Sequence, residues 1–292
     1  MTPDDLMRDL RYIELGTARR IRSLRPGEYT SRLKGDGVDF DQHRHYQVGD
    51  DVRRIDWNVT ARTGQPFVRQ MYADRELDLV VAIDLSRSMN MASDGRSKRE
   101  AQIRVSASLL FSAMTDRIST GFVAFTDRVV RWVTPTANSR RAWAALSELY
   151  AVEVPPGPTL LVPAIVHLLH SLKRPALVVI ISDFLVRENP SSTAELAALA
   201  ARHDVVAVVL SDTVETRLPE GLGFVRVRDL ESGVERAIRL NDAVRAQYAT
   251  TVERRREDLA RCCYRIGIEP LFVNAAGDVL TPLVAAFARR RQ

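Results

Sequence analysis

Cysteine is nearly absent from this chain: its 292 residues hold two, Cys262 and Cys263, side by side. A vicinal disulfide closes a very tight ring. Free thiols in a reducing compartment are expected instead, and a disulfide scaffold is excluded. Long apolar runs are also missing. Ala176 to Ile181, as long as any, has the length of a buried strand and falls far short of the ~18 apolar residues a membrane helix requires. The stretch Met1 to Leu10 carries three Asp and no apolar run, unlike a signal peptide. These absences predict a cytoplasmic protein. Histidine is scarce too. His43 and His45 share a strand face, and His167 and His170 share a helix face, but neither pair has the companions a zinc site needs. There is no Gly-x-Ser-x-Gly elbow and no phosphate-binding Gly-Lys loop, which argues against those hydrolase and nucleotidase chemistries.

What is present is an ordinary globular composition, 46% hydrophobic and 27% charged, in a chain long enough for one large or two modest domains. The net charge of +5 is a mild bias. Much of it falls early, in Arg8, Arg11, Arg19, Arg20, Arg22, Arg25, Arg32 and Lys34. Residues 4–24 have helical apolar spacing with Arg between, which predicts a basic amphipathic helix. Residues 26–75 carry five glycines and many charges, and predict loops and short strands such as Phe67 to Tyr72. From 77 onward, short apolar runs (Leu79 to Ile83, Gly121 to Phe125, Ala176 to Ile181, Val205 to Leu210) alternate with helical patterns at about 97–115, 138–150, 159–173 and 191–202. Strands apolar on both faces, separated by helices, predict a parallel sheet covered on both sides. A hairpin at 224–240, a long Arg-rich helix at about 241–264, a strand Pro270 to Val273 and a short basic helix follow.

Asp84-Leu85-Ser86-Arg87-Ser88-Met89 comes directly after the first buried strand. Ligands in such sheets bind beyond the carboxyl ends of the strands. One carboxylate and two hydroxyls at alternating positions can supply three oxygens to a hard cation such as Mg²⁺, with Mn²⁺ or Ca²⁺ as alternatives. Asp183 ends another strand, in Ile180-Ile181-Ser182-Asp183, and Thr159 offers a hydroxyl before a helix. This set resembles the metal-ion-dependent adhesion site of von Willebrand factor A domains: Asp-x-Ser-x-Ser, then a loop Thr, then an Asp after a later strand. Two carboxylates and neutral hydroxyls leave such an ion under-liganded, and it attracts an acidic side chain from a partner. The bland alternative is an Asp cap without metal. Arg87, between the serines, is the first candidate to pair with a second acid on that partner.

A second resemblance lies upstream. The stretch from Arg44 to Arg62, with Tyr46, Gly49, Asp50, Arg53, Ile55, Asp56, Trp57 and Ala61, is similar to the signature of a bacterial family known as domain of unknown function fifty-eight. There it precedes a von Willebrand A-type domain. His45 stands where an acid is common, and Val48 where a proline is common. Many members have membrane helices near the N-terminus, which are not evident here. The resemblance implies a partner class, MoxR-type AAA+ ATPases, with which such proteins are suspected to act as chaperone-like adaptors. In physical terms, Asp50, Asp51, Arg53, Arg54, Asp56 and Arg62 offer ion pairs and Trp57 an amphipathic anchor. The segment is either a salt-bridged turn or a partner surface through Arg53, Arg54 and Trp57.

Other features are read as structural. Cys262 and Cys263 are partly buried thiols rather than redox-active ones, Trp132 and Trp143 are core, and Glu253-Arg254-Arg255-Arg256 is a solvated helix face, with a docking site as the alternative. The expectation is an α/β, von Willebrand A-type chain with an N-terminal segment over 1–75 and the main domain over 76–292. It acts as a metal-dependent protein-binding module and not as an enzyme. Nucleic-acid binding through the basic helix and metal-dependent hydrolysis are the rival readings; the first lacks a reading helix and an aromatic platform, the second a nucleophile pocket.

Overall fold

The structure, a computed structural model, describes residues 39–47, 52, 55–72, 78–115, 118–138, 144, 159–185, 194–221, 223–228 and 235–289. They fall in two compact units, one within 25–76 and one from 77 onward. The basic helix expected over 4–24 and most of the helix expected over 138–150 lie outside the described residues, as does Trp143.

In the first unit, strands β1 (Asp39–His45) and β2 (Phe67–Tyr72) pair antiparallel. Between them lies a short helix, α1 (Trp57–Thr63), which the expectation of loops and short strands missed. At two turns, it is too short to show a helical period. Its signals are its ends. Asp56 is the N-cap and accepts from the amides of Asn58 and Val59. Gly64 closes the helix at φ 71°, the left-handed conformation glycine tolerates best, and its N–H reaches Thr60 O. His43 Nε2 lies 2.9 Å from Asp56 Oδ2, so the strand histidine bonds the cap.

The second unit holds a six-stranded sheet in the order β10-β7-β6-β3-β4-β5. The strands are β3 (Asp78–Asp84), β4 (Thr120–Phe125), β5 (Val129–Thr136), β6 (Ala176–Ser182), β7 (Asp204–Ser211) and β10 (Glu269–Asn274). All pairings are parallel except β4 with β5. The central strands are apolar on both faces because both are covered. Leu79, Val81 and Ile83 face α2 (Lys98–Thr115) and α7 (Leu280–Arg289); Val80 and Ala82 face α3 (Val162–Ser171), α4 (Ala194–Arg202) and the end of α6 (Asp242–Arg265). This is the two-residue strand period written into two cores. A one-turn helix, α5 (Thr213–Thr216), follows β7, and β8 (Gly223–Arg228) with β9 (Glu235–Leu240) forms the expected hairpin as a separate two-stranded sheet.

Strand β5 was not foreseen. Arg131 and Pro135 interrupt its apolar run, and both are residues that suit an edge strand. Trp132 on β5 is half-buried rather than core; it meets the His167 ring edge-on, with centroids 5.0 Å apart. His170 bonds its own helix at Val166 O, so the two histidines have local partners. Cys262 is half-buried and Cys263 buried, both as free thiols.

Gly121 sits where β4 meets β5, and a Cβ there would lie 2.5 Å from Val133 O and 2.8 Å from Pro135 N. Both are backbone atoms and cannot swing away. Gly121→Ala should cost about 1–3 kcal/mol, seen as a melting point lower by several degrees. An unchanged melting point would place β5 differently.

Candidate metal centre

The sheet order creates one special position. From β3 the chain moves outward to β4 and β5, then returns to the other side of β3 with β6 and continues to β7 and β10. The connections leave β3 and β6 in opposite directions and open a crevice at their carboxyl ends, where open α/β sheets bind ligands. Asp84 is the last residue of β3, and Asp183 directly follows β6.

The expected donors gather at this edge. Asp84 is fully buried, and Ser86, Ser88, Thr159 and Asp183 are all buried beside their strand ends. Asp84 Oδ1 accepts the Ser86 amide at 2.8 Å, which folds the loop back onto the strand. Ser86 Oγ and Ser88 Oγ lie 3.0 Å apart. Leu85 N donates to Phe125 O at 2.8 Å and Leu160 N to Thr126 O at 3.0 Å, so the β4 end anchors both the serine loop and the Thr159 segment. Ser182 Oγ donates to Asp84 Oδ2 at 2.6 Å and accepts Phe184 N at 2.9 Å, tying the two strand ends together. Asp183 is followed by a sharp turn in which Phe184 takes φ 52° and Leu185 N donates to Asp183 Oδ1 at 3.0 Å. A non-glycine residue in that region is uncommon and marks a backbone held by its surroundings. Arg87 stands exposed between the two buried serines.

Three contributors were not read from the sequence. Gln102, on α2, donates through Nε2 to Asp84 O at 2.9 Å and to Ile181 O at 3.0 Å, bridging the ends of β3 and β6. Lys98 is completely buried, with Nζ 2.7 Å from Asp183 Oδ2 and 2.5 Å from Glu215 Oε1. Glu215 in turn accepts the Asp212 amide, while Asp212 accepts from Ser93 and from Val214 N. A signal for Lys98 existed. Ser97 and Glu100 bond each other's backbone amides reciprocally, a capping box that puts Lys98 at the first helical position. A cation there opposes the helix dipole, so it needs acids elsewhere.

The electrostatics separate the two acids. Burial pushes the Asp84 carboxyl up to about 6, and the nearby Asp183 charge adds to this; bonds from Ser182 and Ser86 oppose it. Asp183 has Lys98 against it. Among the described residues no group of three or more His, Cys, Asp or Glu could hold a metal ion. What converges is two carboxylates with short hydroxyls, an oxygen set that suits a hard divalent cation and not zinc. The crowding of Asp84 by Asp183 is the mark of such a fit, since a cation between them relieves it.

Of the proposed partner surface, Arg53 and Arg54 lie outside the described residues. Trp57 is 68% exposed at the start of α1.

Comparison with known proteins gives the chain its relatives. The family described as "Protein of unknown function DUF58" matches residues 42–258, which span the signature segment and most of the sheet. This chain belongs to the DUF58 family. An uncharacterized protein of Mycobacterium tuberculosis, Rv1480, is 32% identical to this DUF58 chain over 97% of its length and 89% of the relative's. An uncharacterized protein of Mycobacterium bovis, Mb1516, matches to the same extent. Among solved structures, the conserved hypothetical protein BatB from Bacteroides thetaiotaomicron is similar at 16% identity and a TM-score of 0.45, covering 73% of this chain and 98% of that one. An aerotolerance-related membrane protein from Bacteroides fragilis is similar at 17% identity and 0.46, covering 74% and 98%. Among the described residues no helix is long and apolar enough to cross a membrane.

Two predictions follow the charges. A raised carboxyl means the folded chain holds that proton more tightly than the unfolded one. Its contribution to stability is fully present below pH 3.8 and is lost as pH rises through about 6. In chelator, Asp84→Asn should remove that decline, so its stability falls less than the wild type's between those pH values; parallel denaturation curves would refute this. Lys98→Met leaves Asp183 and Glu215 without their shared cation and should cost about 3–5 kcal/mol in urea unfolding. A loss below ~1 kcal/mol would mean the pair is solvated rather than buried.

Proposed function

We propose that this chain is a von Willebrand A-type, metal-dependent protein-binding module that works as a chaperone-like adaptor with a MoxR-type AAA+ ATPase. The observation that carries the reading is the meeting of Asp84, Ser86, Ser88 and Asp183 at the crevice between β3 and β6, with Thr159 buried in the segment held to the neighbouring end of β4. In this reading Asp84, Ser86 and Ser88 hold a Mg²⁺, Mn²⁺ or Ca²⁺ ion, with Thr159 and Asp183 completing the shell directly or through water. The ion supplies an open coordination position to an acidic side chain of the partner. The residues do the remaining work. Ser182 and the Ser86 amide orient the Asp84 carboxylate, and Lys98 holds Asp183 in place while removing part of the negative charge. With that charge reduced, an incoming Asp or Glu meets less repulsion. Arg87 is exposed at the loop, and in this reading it would contact the partner.

What favours binding over chemistry in this reading is that the Ser86 and Ser88 hydroxyls bond one another, while the Ser182 hydroxyl, 2.6 Å from Asp84 Oδ2, is fully buried and also accepts the Phe184 amide, so it is not presented to a substrate. Nucleic-acid binding would rest on the basic stretch before residue 39, outside the described residues. Localisation in the cytoplasm and the ATPase partner belong to the proposal.

The test uses metal and partner together. At ten times its dissociation constant Mg²⁺ should stabilise the wild type by about 1.4 kcal/mol, raising its melting point, and leave Asp84→Ala unmoved. A purified MoxR-type ATPase should bind the wild type in Mg²⁺, not in chelator, and not the Ser86→Ala, Ser88→Ala double variant, whose circular dichroism stays native. An equal thermal shift in wild type and Asp84→Ala would place the ion elsewhere. ATPase binding that ignores chelator would remove the metal from recognition.

A further inference from the structure

The long helix α6 is unusually exposed for its length. Over 24 residues it buries only Cys263. Its inward stripe runs Tyr248, Val252, Arg255, Leu259 and Cys262 at three- and four-residue spacing, and an arginine occupies the centre of it. The other members of the stripe are half-buried. Between this helix and the ends of β6, β7 and β10 lies a cavity of about 1170 Å³, which begins at Asp183 and Phe184 and so adjoins the proposed metal ligands.

The charges around the cavity are unbalanced in a specific way. Its acids are taken: Asp183 and Glu215 share Lys98, and Asp258 bonds Arg261. Its arginines are less so. Arg256 lies over the Phe272 ring at 4.6 Å. Arg255 makes one hydrogen bond, from Nη2 to Phe184 O at 3.3 Å, and no ion pair among the described residues. A guanidinium carries five N–H donors in a planar fork matched to a carboxylate. Here that fork is fixed on the carbonyl of the residue next to Asp183, in the left-handed turn described above, with most of its donors unused.

We propose that the cavity between α6 and the sheet is the seat of an acidic partner segment, whose one carboxylate completes the metal shell while a second is gripped by Arg255. This rests on the metal-dependent reading of the site and names its partner chemistry: a peptide with neighbouring Asp or Glu side chains, entering over Phe184. Arg255 is then a specificity residue that touches the partner. Arg254, one position away on the helix, also lines the cavity but makes no bond to the Phe184 carbonyl, and serves as the internal control. All three arginines of the run expected to be a solvated face line the cavity, and among the described residues only Arg255 bonds the turn after Asp183.

The probe is a fluorescein-labelled hexa-aspartate peptide, read by fluorescence polarisation against the full chain in Mg²⁺. Arg255→Gln should weaken binding at least about tenfold, because a charge-assisted bidentate contact is removed. Arg255→Lys should recover only part of that loss, since an ammonium keeps the charge but not the fork. Arg254→Gln should stay within about twofold. Melting curves establish that each variant is folded; the exposed head group of Arg255 makes that the expected result. If chelator abolishes binding while Arg255→Gln binds like wild type, the metal reading stands and this inference falls. If Arg255→Gln loses binding but chelator and Asp84→Ala do not, Arg255 is the acid site and the metal reading falls. Equal losses in Arg254→Gln and Arg255→Gln would reduce the cavity to diffuse positive charge and overturn the proposal. So would peptide binding that is absent in Mg²⁺, or that is displaced by a DNA oligonucleotide more readily than by unlabelled peptide.

Discussion

A lysine ammonium with no exposure to solvent has to be matched by carboxylates, and the functional edge of this sheet is arranged around that demand. Lys98 reaches Asp183 after β6 and Glu215 on α5. Each acid is fixed in turn. Asp183 accepts the Leu185 amide, and Glu215 closes a capping box with Asp212, which also takes the Ser93 amide and hydroxyl. Removing any one of these would leave another buried polar group unmet, a cost that exceeds the net worth of the bond itself. The segments that follow β3, β6 and β7 are therefore one connected polar layer rather than three independent loops.

That layer also explains why the two aspartates differ. Asp183 has a resident cation beside it. Asp84 has only the Ser86 amide and the Ser182 hydroxyl, at the centre of the sheet, and burial raises its carboxyl. In the metal-dependent reading, one carboxylate paired with a cation and one held only by neutral donors would suit a divalent ion without a closed cage. On the proposed reading, this leaves room for an acid from outside, and Arg255 stands at the cavity side of that opening.

Much of the fold could be read directly from the residues. Leu79 to Ile83 and Ala176 to Ile181 are apolar at every position, which only a sheet covered on both faces requires. The hairpin strands and the long Arg-rich helix after them were also foreseen. Strand β5 escaped because Arg131 and Pro135 break its pattern, and edge strands are where such breaks are tolerated. Helix α1 escaped because two turns show no period. For the site, Asp84, Ser86, Ser88, Thr159 and Asp183 were legible because the motif is local around Asp84 and the acids end strands. Lys98, Gln102 and Glu215 were not, since their roles depend on which strand ends lie side by side. That is set by the sheet order, which no local pattern encodes. Arg255 was hidden within a charged run that is exposed throughout, and only its bond to the Phe184 carbonyl distinguishes it.

The bonds that build this edge join residues very far apart along the chain: Lys98 to Asp183 spans 85 positions, Asp84 to Ser182 spans 98, and Lys98 to Glu215 spans 117. Closing such loops carries the same entropy cost as pairing β3 with β6, whose Asp78 and Ala176 are also 98 positions apart, so the edge forms only with the sheet itself. An unfolded or half-folded chain holds Asp84 and Asp183 at no fixed separation and has no local ligand cluster to retain an ion. A cation at this edge therefore cannot nucleate folding as it does in zinc-organised domains. On the proposed reading the full ligand set exists only in a folded chain, so ion occupancy would be a readout of completed topology.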